Sequence, residues 1–275
     1  MGLKIIADAC ANHKGDLAIA KEMIHQAKEV GADFIKFQSW RAKDNARGQI
    51  EEMSEFELSE EDHLELMAEA KKVGIEFLTT CFNSKTVDFL STLGLKYIKV
   101  GSAECSNYEL LAKLADKFDY LIVSTGMHFD EEVIKVAELL KEKAKGFALL
   151  HCVSKYPIGD DQFNLNRIKW LRTLSTQVGY SDHSSGDDFR ASAVAMHLGI
   201  DFLERHYILD RSWQTKDQPV SVDTEGLKKI VELSKNPEEL KRIAKENPAF
   251  LGEEHRELSQ EEKNNRQFYI GRWGK

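Results

Sequence analysis

The feature that most constrains the fold is a regular alternation of short apolar runs with segments of helical periodicity. Eight apolar runs are spaced along residues 3–207, and each is followed by a helix-period segment. Strands this continuously apolar are typical of a parallel sheet that is covered on both faces. In chain order the runs are LKIIADA, DFIKFQSW, IEFLTTCF, KYIKVGSAE, DYLIVSTGM, GFALLHCVS, QVGYSDH and IDFLERHY.

Eight strand–helix units predict an α/β fold of the TIM (β/α)8 barrel type. We expect residues 1–235 to form the barrel as a single domain and residues 236–275 to form a charged helical C-terminal tail. A chain of 275 residues that is 42% hydrophobic is long enough for one large core. A doubly wound open sheet and a pair of small domains are the alternatives, but an open sheet rarely needs eight such regular repeats.

Charge and cysteine usage narrow the class of protein. The 38 basic and 46 acidic residues give a net charge of -8 without a basic cluster, which argues against nucleic acid as a partner. No N-terminal signal and no run of 18 apolar residues is evident, so we expect a cytoplasmic protein without a membrane partner. The four cysteines form no CxxC pair, as expected for free thiols in a reducing compartment.

Polar residues gather at the carboxyl ends of the predicted strands, whereas the opposite ends begin with ordinary residues. Active sites of TIM barrels lie where strands pass into their following loops, so these residues should meet at one mouth. A single strand-end lysine is more often solvated, but two lysines inside apolar strands should point into the barrel or its mouth. The cations and hydroxyls that suit a phosphate or carboxylate ligand are Lys36, Thr80, Lys99, Ser102, Ser124 and Ser181.

A second set of strand-end residues has the chemistry of metal ligands. His183 ends the seventh strand and His206 the eighth, and imidazole nitrogen is a common ligand of divalent transition metals. Cys10 and Asp217 can join them, because the first and eighth strands become neighbours once the barrel closes. The alternative for Cys10 is a small buried apolar residue, and a lone histidine is more often structural. The two sets together suit a phosphorylated acid beside a Lewis-acid metal ion.

These stretches make the chain resemble the N-acetylneuraminate (sialic acid) synthase family, whose catalytic domain is a TIM barrel. The resemblance covers residues 3–235 in order and at family spacing, and ELSQEEKNNRQ is similar to the segment that closes the family's barrel. It implies a transferase that condenses phosphoenolpyruvate with the aldehyde of a sugar, commonly N-acetylmannosamine, to give a 2-keto-3-deoxy sugar acid and phosphate. Among the matching stretches are IIADACANHKGDLAIAKEMIHQAKEVGADFIKFQ, YIKVGSAE, LLHCVSKYP, VGYSDHSSG, FLERHYILDR and KDQPVSVD.

The resemblance implies substrate-binding roles by position. The residues expected to hold the carboxylate of phosphoenolpyruvate are Lys36, Thr80 and Lys99. The residues expected to surround its phosphate are Ser102, Ser124, Ser154 and Ser181. The residues expected to contact the sugar are Gln38, Tyr156 and Asp217.

The resemblance also implies a metal ion and catalytic groups. His183 and His206 would bind a divalent ion, usually manganese, that polarises the sugar aldehyde. Cys10 stands where the metal-dependent 3-deoxy-octulosonate 8-phosphate synthases carry a metal-binding cysteine, which suggests a fuller ligand set. That hypothetical set is Cys10, His183, His206 and Asp217. The expected catalytic residues are Asp8, Lys99, His183 and Glu104, of which the last takes the position of a family acid–base carboxylate.

Three departures from the family pattern bear on the substrate. Asp8 stands where the family usually has glutamate, and Ser154 where it commonly has asparagine. The antifreeze-like C-terminal domain, which lends an arginine to the neighbouring subunit's sugar site, has no counterpart in the sequence. We therefore expect a sugar that lacks the N-acetyl group, a separate chain that carries the domain, or a shortened sequence.

Several alternatives stay open at this stage. The acceptor could be N-acetylmannosamine or a related aldose, including an unacetylated or phosphorylated one. A non-catalytic barrel subunit that needs a partner, and a metal-dependent lyase that uses pyruvate, are interpretations from other classes. The family's dimers lead us to expect a homo-oligomer.

Overall fold

The computed structural model describes residues 2–48 and 50–273, and positions 1, 49, 274 and 275 of the predicted barrel and tail lie outside the described residues. Eight parallel strands close into a barrel in chain order, which confirms the predicted TIM (β/α)8 fold. The strands are β1 Lys4–Asp8, β2 Phe34–Ser39, β3 Glu76–Cys81, β4 Tyr97–Val100, β5 Tyr120–Ser124, β6 Phe147–Cys152, β7 Gln177–Asp182 and β8 Phe202–His206.

Helices follow the strands and cover the outside of the barrel. The α-helices are α1 Leu17–Glu29, α2 Ile50–Ser54, α3 Glu60–Val73, α4 Ser84–Thr92, α5 Tyr108–Lys117, α6 Asp130–Lys143, α7 Arg167–Leu174, α8 Arg190–His197, α9 Thr224–Leu233, α10 Pro237–Glu246 and α11 Gln260–Tyr269. Short 3₁₀ turns span Ala42–Asp44, Ser102–Glu104, Gln218–Val220 and Pro248–Leu251. No helix in the described ranges has the length and apolar character that a bilayer span requires.

Local sequence signals set the helix boundaries. Asp16 is the N-cap of α1, and its side chain accepts hydrogen bonds from the backbone N–H groups of Ala18 and Ile19. Ser59 and Asp62 form a capping box at the start of α3, and Gly74 ends that helix in the left-handed conformation. These caps fix where α1 and α3 begin, and Gly74 fixes where α3 ends.

Inside the barrel, the side chains are apolar in the middle of the strands and polar at their carboxyl ends. Alternate residues of a strand share a face, so the inward side chains come two apart. The apolar layer consists of Ile6, Phe34, Leu78, Ile122, Ala148, Leu150 and Phe202. Gly179 belongs to the same level, because it is paired with Phe202 in the register of β7 and β8, and a Cβ there would lie 2.4 Å from the carbonyl oxygen of Phe202. Two residues further along β1 and β2 the inward side chains are Asp8 and Lys36, so the apolar layer becomes the floor of a polar mouth.

The segment that the sequence predicts as a helical tail contains α10 and α11, and its end packs over the mouth of the barrel. Asn265 on α11 donates to the backbone carbonyl of Ser154 at 2.8 Å. Beyond α11, the ring of Trp273 lies 5.5 Å from the rings of both Trp40 and Phe82. The C-terminal residues are therefore part of the wall around the strand ends.

Candidate functional site

A cavity of about 800 Å³ opens at the carboxyl ends of the strands, and every strand contributes at least one side chain to its wall. Every site residue predicted from the sequence, with the exception of Glu104, lines this cavity. These residues are Asp8, Cys10, Lys36, Gln38, Thr80, Lys99, Ser102, Ser124, Ser154, Tyr156, Ser181, His183, His206 and Asp217.

Glu104 lies outside the cavity wall. It shares a 3₁₀ turn with Ser102, and residues two apart in such a turn differ by about 240° in direction, so they cannot face the same way. The Glu104 side chain is buried, and Asn107 donates to its Oε2 at 2.8 Å. Burial raises the pKa of Glu104 to about 7, although the bond from Asn107 opposes this shift. An acid–base role for Glu104 therefore stays a prediction.

Lys36 is one of two buried lysines at the floor of the cavity. Its ammonium donates to Thr80 Oγ1 at 2.9 Å and pairs with Asp8 Oδ2 at 2.8 Å, while Glu204 Oε2 lies 3.8 Å away. Burial by itself would lower the pKa of Lys36, but the carboxylates of Asp8 and Glu204 outweigh burial and raise it. Lys36 is therefore a fixed cation.

Lys99 is the second buried lysine. Its ammonium donates to Ser124 Oγ at 2.7 Å and to the carbonyl of Val100 at 2.9 Å, and Glu204 Oε2 lies 3.8 Å away. Burial lowers the pKa of Lys99 despite the nearby carboxylate. An ammonium has three N–H donors, and a distance of 3.8 Å is too long for a hydrogen bond. Lys36 and Lys99 each retain one N–H for a ligand.

Glu204 holds these two cations in place. Burial by itself would raise the pKa of Glu204. The ammonium groups of Lys36 and Lys99 stabilise the carboxylate and lower this pKa to about 2. Ser181 donates to Glu204 Oε1 at 2.7 Å. Glu204 Oε2 is buried without a hydrogen-bond partner among the described residues. A buried carboxylate oxygen without a hydrogen-bond donor is unusual in a folded protein, and it is expected where a ligand binds.

A small cradle of hydroxyls surrounds Gly126, directly after β5. The backbone N–H of Gly126 donates to Ser102 Oγ at 3.1 Å. A Cβ at Gly126 would lie 2.5 Å from Ser154 Oγ, 2.8 Å from Ser102 Oγ and 3.1 Å from Cys152 Sγ. Ser154 Oγ is buried and has no partner within the part of the chain that the structure describes. The bare Cα of Gly126 is therefore what leaves room for these two hydroxyls.

Cys10, His206 and Asp217, which we name the metal-type group, come together on the side of the mouth formed by β1 and β8. One ligand atom from each lies within 4.8 Å of the others. Cys10 Sγ lies 2.8 Å from Asp217 Oδ2, and the buried His206 Nδ1 has no hydrogen-bond partner among the described residues. A thiol, an imidazole and a carboxylate form a donor set that fits a first-row divalent ion.

His183 lies beside the metal-type group and is not a member of it. Its ring centroid is 5.2 Å from that of His206 and 4.1 Å from that of Tyr156. The Nδ1 atom of His183 lies 2.9 Å from the carbonyl of Val153. A carbonyl only accepts, so Nδ1 carries the proton of this hydrogen bond. Of the four ligands in the sequence hypothesis, three are close enough to share one ion.

This arrangement of residues has known counterparts. The chain matches the NeuB family over residues 23–245. This chain belongs to the NeuB family. Its relatives are sialic-acid-type synthases, so this chain is an enzyme of that type, which condenses phosphoenolpyruvate with a sugar. The family expected from the sequence is thereby confirmed.

Two curated proteins and one crystal structure illustrate the likeness. The N,N'-diacetyllegionaminic acid synthase of Legionella pneumophila is 37% identical over 260 residues, which span 85% of this chain and 72% of that protein. Human N-acetylneuraminate-9-phosphate synthase is 33% identical over 245 residues, spanning 82% and 68%. The crystal structure of N-acetylneuraminic acid synthetase from Leptospira borgpetersenii with citrate has a TM-score of 0.81 and 30% identity, covering 98% of this chain and 91% of that one.

The paired motifs SDH and ERH of this NeuB-family enzyme divide their residues between the two faces of the sheet. Ser181, His183, Glu204 and His206 line the cavity. The intervening Asp182 and Arg205 are fully buried on the outer side, where their carboxylate and guanidinium lie 2.8 Å apart. Arg205 also donates to Ser184 Oγ at 2.7 Å, in the loop that follows β7. Successive side chains of a strand point to opposite faces of the sheet, and this alternation is the sequence signal for the division.

Other cavity residues of the NeuB-family enzyme were not predicted from the sequence. They come from the loops after β1, β2 and β8 and from the C-terminal segment, so their chain positions are far apart. The aromatic run in QFYIGRW was the sequence signal for part of this wall. Those that bear on the wider part of the cavity are Lys14, Trp40, Lys216, Asn265, Phe268, Tyr269, Arg272 and Trp273.

Proposed function

We propose that this enzyme condenses phosphoenolpyruvate with the aldehyde of a sugar, N-acetylmannosamine or a related aldose. The products are a 2-keto-3-deoxy sugar acid and phosphate. The observation that carries the proposal is the pair of buried lysines, Lys36 and Lys99, each with one N–H for which the described residues offer no acceptor. They lie in one cavity with the hydroxyl cradle and the metal-type group.

Phosphoenolpyruvate has two anionic ends, and the floor of the cavity offers two kinds of anion site. We assign the carboxylate to Lys36, Lys99 and Thr80, because the lysine N–H donors are buried and charge-assisted hydrogen bonds are the strong ones. We assign the phosphate to the hydroxyls around Gly126 and their neighbours. The phosphate-binding residues in this assignment are Ser102, Ser124, Ser154 and Ser181.

The reaction joins C3 of phosphoenolpyruvate to the aldehyde carbon, and the aldehyde oxygen takes up a proton. Water adds to C2, and the C2–oxygen bond to phosphate then breaks, which leaves the 2-keto group. Asp8 is the carboxylate that we propose to hold this water, because its Oδ2 lies between the ammonium of Lys36 at 2.8 Å and Nδ1 of His206 at 3.9 Å. Lys99 stabilises the negative charge of the bound substrate.

The metal-type group would hold a divalent ion, for which we propose manganese, with His183 beside it. When bound, such an ion supplies Lewis acidity toward the aldehyde oxygen. Gln38 and Tyr156 are the further sugar contacts in this proposal. Gln38 Nε2 lies 2.9 Å from Cys10 Sγ, so a sugar that contacts Gln38 also lies next to the proposed ion site.

The test is phosphate release from phosphoenolpyruvate with manganese, across a panel of aldoses and with or without chelator. We expect release that requires both the ion and an aldose.

Lys36→Met should lower kcat/KM at least about 100-fold, because it leaves Asp8 and Glu204 without a shared buried cation. Lys96→Met, at the exposed amino end of β4, is the matched control. Absence of release with every aldose, also after a separate antifreeze-like domain is added, would refute the proposal.

Cys10 gives the first specific prediction about the metal. We expect Cys10→Ala to weaken manganese binding about 10-fold or more, because loss of a ligand from a three-residue group leaves water in its place. Titration calorimetry measures the affinity without turnover. Cys105→Ala removes an equally buried thiol that does not line the cavity, and it serves as the control. Unchanged affinity in Cys10→Ala would show that Cys10 is a packing residue.

A further inference from the structure

Helix α11 holds both peptide groups that flank Ser154, the residue whose hydroxyl belongs to the cradle around Gly126. The backbone N–H of Ser154 donates to Glu262 Oε1 at 3.2 Å. The backbone carbonyl of Ser154 accepts from Asn265 Nδ2 at 2.8 Å. Glu262 and Asn265 are three positions apart in α11, so their side chains project from the same face of the helix. One face of α11 therefore fixes the backbone from which the Ser154 side chain enters the cavity.

Glu262 is itself held in place by several bonds. It is fully buried, and Arg256 donates to its two carboxylate oxygens at 2.6 and 2.7 Å. Its Oε2 also accepts from the backbone N–H of Ser259 at 3.2 Å, in the capping box that begins α11. Arg256 donates in addition to the backbone carbonyl of Cys152, the last residue of β6, at 3.4 Å. The start of α11 is thus attached to the end of the strand that leads to Ser154.

The same helix holds the opposite side of the cradle. Arg266, about one turn after Glu262, donates to the backbone carbonyl of Met127 at 2.7 Å, and Met127 directly follows Gly126. Met127 has a φ of 61°, in the left-handed region that residues with a Cβ rarely adopt. Such a conformation persists only where the surrounding structure stabilises it. Arg266 supplies part of this stabilisation, and its ion pair with Glu132 of α6 at 2.6 Å fixes the guanidinium.

We propose that Glu262, Asn265 and Arg266 are positioning residues that hold the hydroxyl cradle in the geometry that binds the phosphate of phosphoenolpyruvate. This inference rests on the proposed function, because it takes the cradle to be the phosphate site. Hydrogen bonds weaken steeply with distance and angle, so a small shift of the backbone at Ser154 or Gly126 would weaken the binding of an anion. Because α11 favours the binding geometry, a bound anion must in turn stabilise α11.

The first test is the affinity for phosphoenolpyruvate, measured by calorimetry without an aldose. We expect Asn265→Ala to weaken binding about 3- to 10-fold and Arg266→Met about 10-fold or more, as for loss of a neutral and of a charged hydrogen bond. Asn264→Ala, the same change on the exposed face of α11, should bind like wild type. During turnover, Asn265→Ala and Arg266→Met should raise KM for phosphoenolpyruvate and leave KM for the aldose unchanged.

Hydrogen exchange gives a readout that a purely structural role of α11 would not change. We expect phosphoenolpyruvate to slow exchange in residues 260–269 of the wild type about threefold or more, because the ligand and the helix stabilise each other. The effect should be much smaller in Asn265→Ala, which lacks one of the linking bonds. Residues 237–246 of α10 are the internal control, and their exchange should not respond to the ligand.

Two results would overturn the inference: equal affinity of Asn265→Ala and Asn264→Ala for phosphoenolpyruvate, and exchange in α11 that the ligand leaves unchanged. The proposed function fails separately. If no aldose releases phosphate, yet phosphoenolpyruvate binds wild type more tightly than Asn265→Ala, the positioning role stands and the reaction is wrong. If phosphate is released with an unchanged KM for phosphoenolpyruvate in both variants, the reaction stands and the positioning role is wrong. Absence of phosphoenolpyruvate binding to wild type would refute both.

Discussion

Gly126 is the residue where the smallest change should have the clearest effect on substrate binding. Its φ is not positive, so the backbone accepts alanine, but the added Cβ would lie 2.5 Å from Ser154 Oγ. We expect Gly126→Ala to raise KM for phosphoenolpyruvate about tenfold or more, since overpacking of this kind costs about 1–3 kcal/mol.

Gly101 provides the matched control for that experiment. It also lines the mouth, but a Cβ there would make only ordinary contacts, at 3.6 Å to Thr80 and 3.7 Å to Phe82. Steady-state kinetics at varied phosphoenolpyruvate should therefore show a much smaller change for Gly101→Ala. Equal KM values for the two variants would argue against an anion cradle at Gly126.

Glu104 should make stability depend on pH. Burial raises the pKa of this carboxyl from 4.5 to about 7. The unfolded chain therefore loses the proton at lower pH than the folded one, and the free energy of unfolding falls as pH rises from 4.5 to about 7. Below that window both states are protonated, so the penalty is absent.

Glu104→Gln removes this penalty. We expect the variant to be more stable than wild type by about 3 kcal/mol at pH 8, and equal to it near pH 4, by urea unfolding. Glu109→Gln, an exposed glutamate on α5, should show neither effect. A Glu104→Gln variant that is less stable than wild type at pH 8 would contradict the prediction. A loss of kcat in the same variant would support the acid–base role expected from the sequence.

At the scale of elements, β7 and β8 act as a pair. Their inward side chains line the cavity, and their outward side chains form a buried ion pair that we name the strut. The buried bond between Asp182 and Arg205 joins the two strands, and Arg205 also reaches Ser184 in the loop after β7. Burial alone would raise the pKa of Asp182, but the guanidinium of Arg205 holds it below its usual range. The strut fixes the strand ends from which His183 and His206 enter the cavity.

Arg205→Met should be strongly destabilising. It leaves the Asp182 carboxylate buried without its cation, which costs about 3–5 kcal/mol when a buried pair is broken. Urea unfolding measures the loss. Lys72→Met breaks an exposed pair with Glu69 on α3 and should change stability by no more than about 0.5 kcal/mol. A loss of similar size in both variants would mean that the buried pair is no strut.

At the scale of the whole molecule, the C-terminal segment completes the cavity. Trp273 packs between Trp40, directly after β2, and Phe82, directly after β3. The carbonyl of Arg272 accepts from the backbone N–H of Ala46 at 2.8 Å. These contacts attach the end of the described chain to loops that precede it by more than 190 positions, and they place Tyr269 and Arg272 in the wall.

Trp273→Ala should loosen this segment without unfolding the barrel, because the remaining contacts of the barrel core do not involve it. We expect hydrogen exchange in residues 254–273 to accelerate about tenfold or more, and KM for the sugar to rise. Tyr108→Ala, an exposed aromatic residue on α5, is the control. Unchanged exchange would show that Trp273 does not hold the segment.

The sequence by itself determined the barrel, the order of its elements and the polar strand ends that line the cavity. Strand periodicity placed Lys36, Lys99, His183 and His206 at one mouth, because parallel strands that close into a barrel bring their carboxyl ends together. The sequence also supported a family that the comparisons show. Local pattern was sufficient for these features since each depends on residues near one another in the chain.

Only the tertiary structure decided which polar residues meet. Glu104 leaves the wall because a 3₁₀ turn rotates it away from Ser102, and His183 lies beside the metal-type group instead of within it. Lys14, Lys216 and Arg272 come from two loops and the C-terminal segment, so no spacing in the sequence predicts that they share one cavity. Direction within a turn and contact between distant segments depend on packing of the whole chain, and packing is fixed only when the barrel and its C-terminal segment have come together.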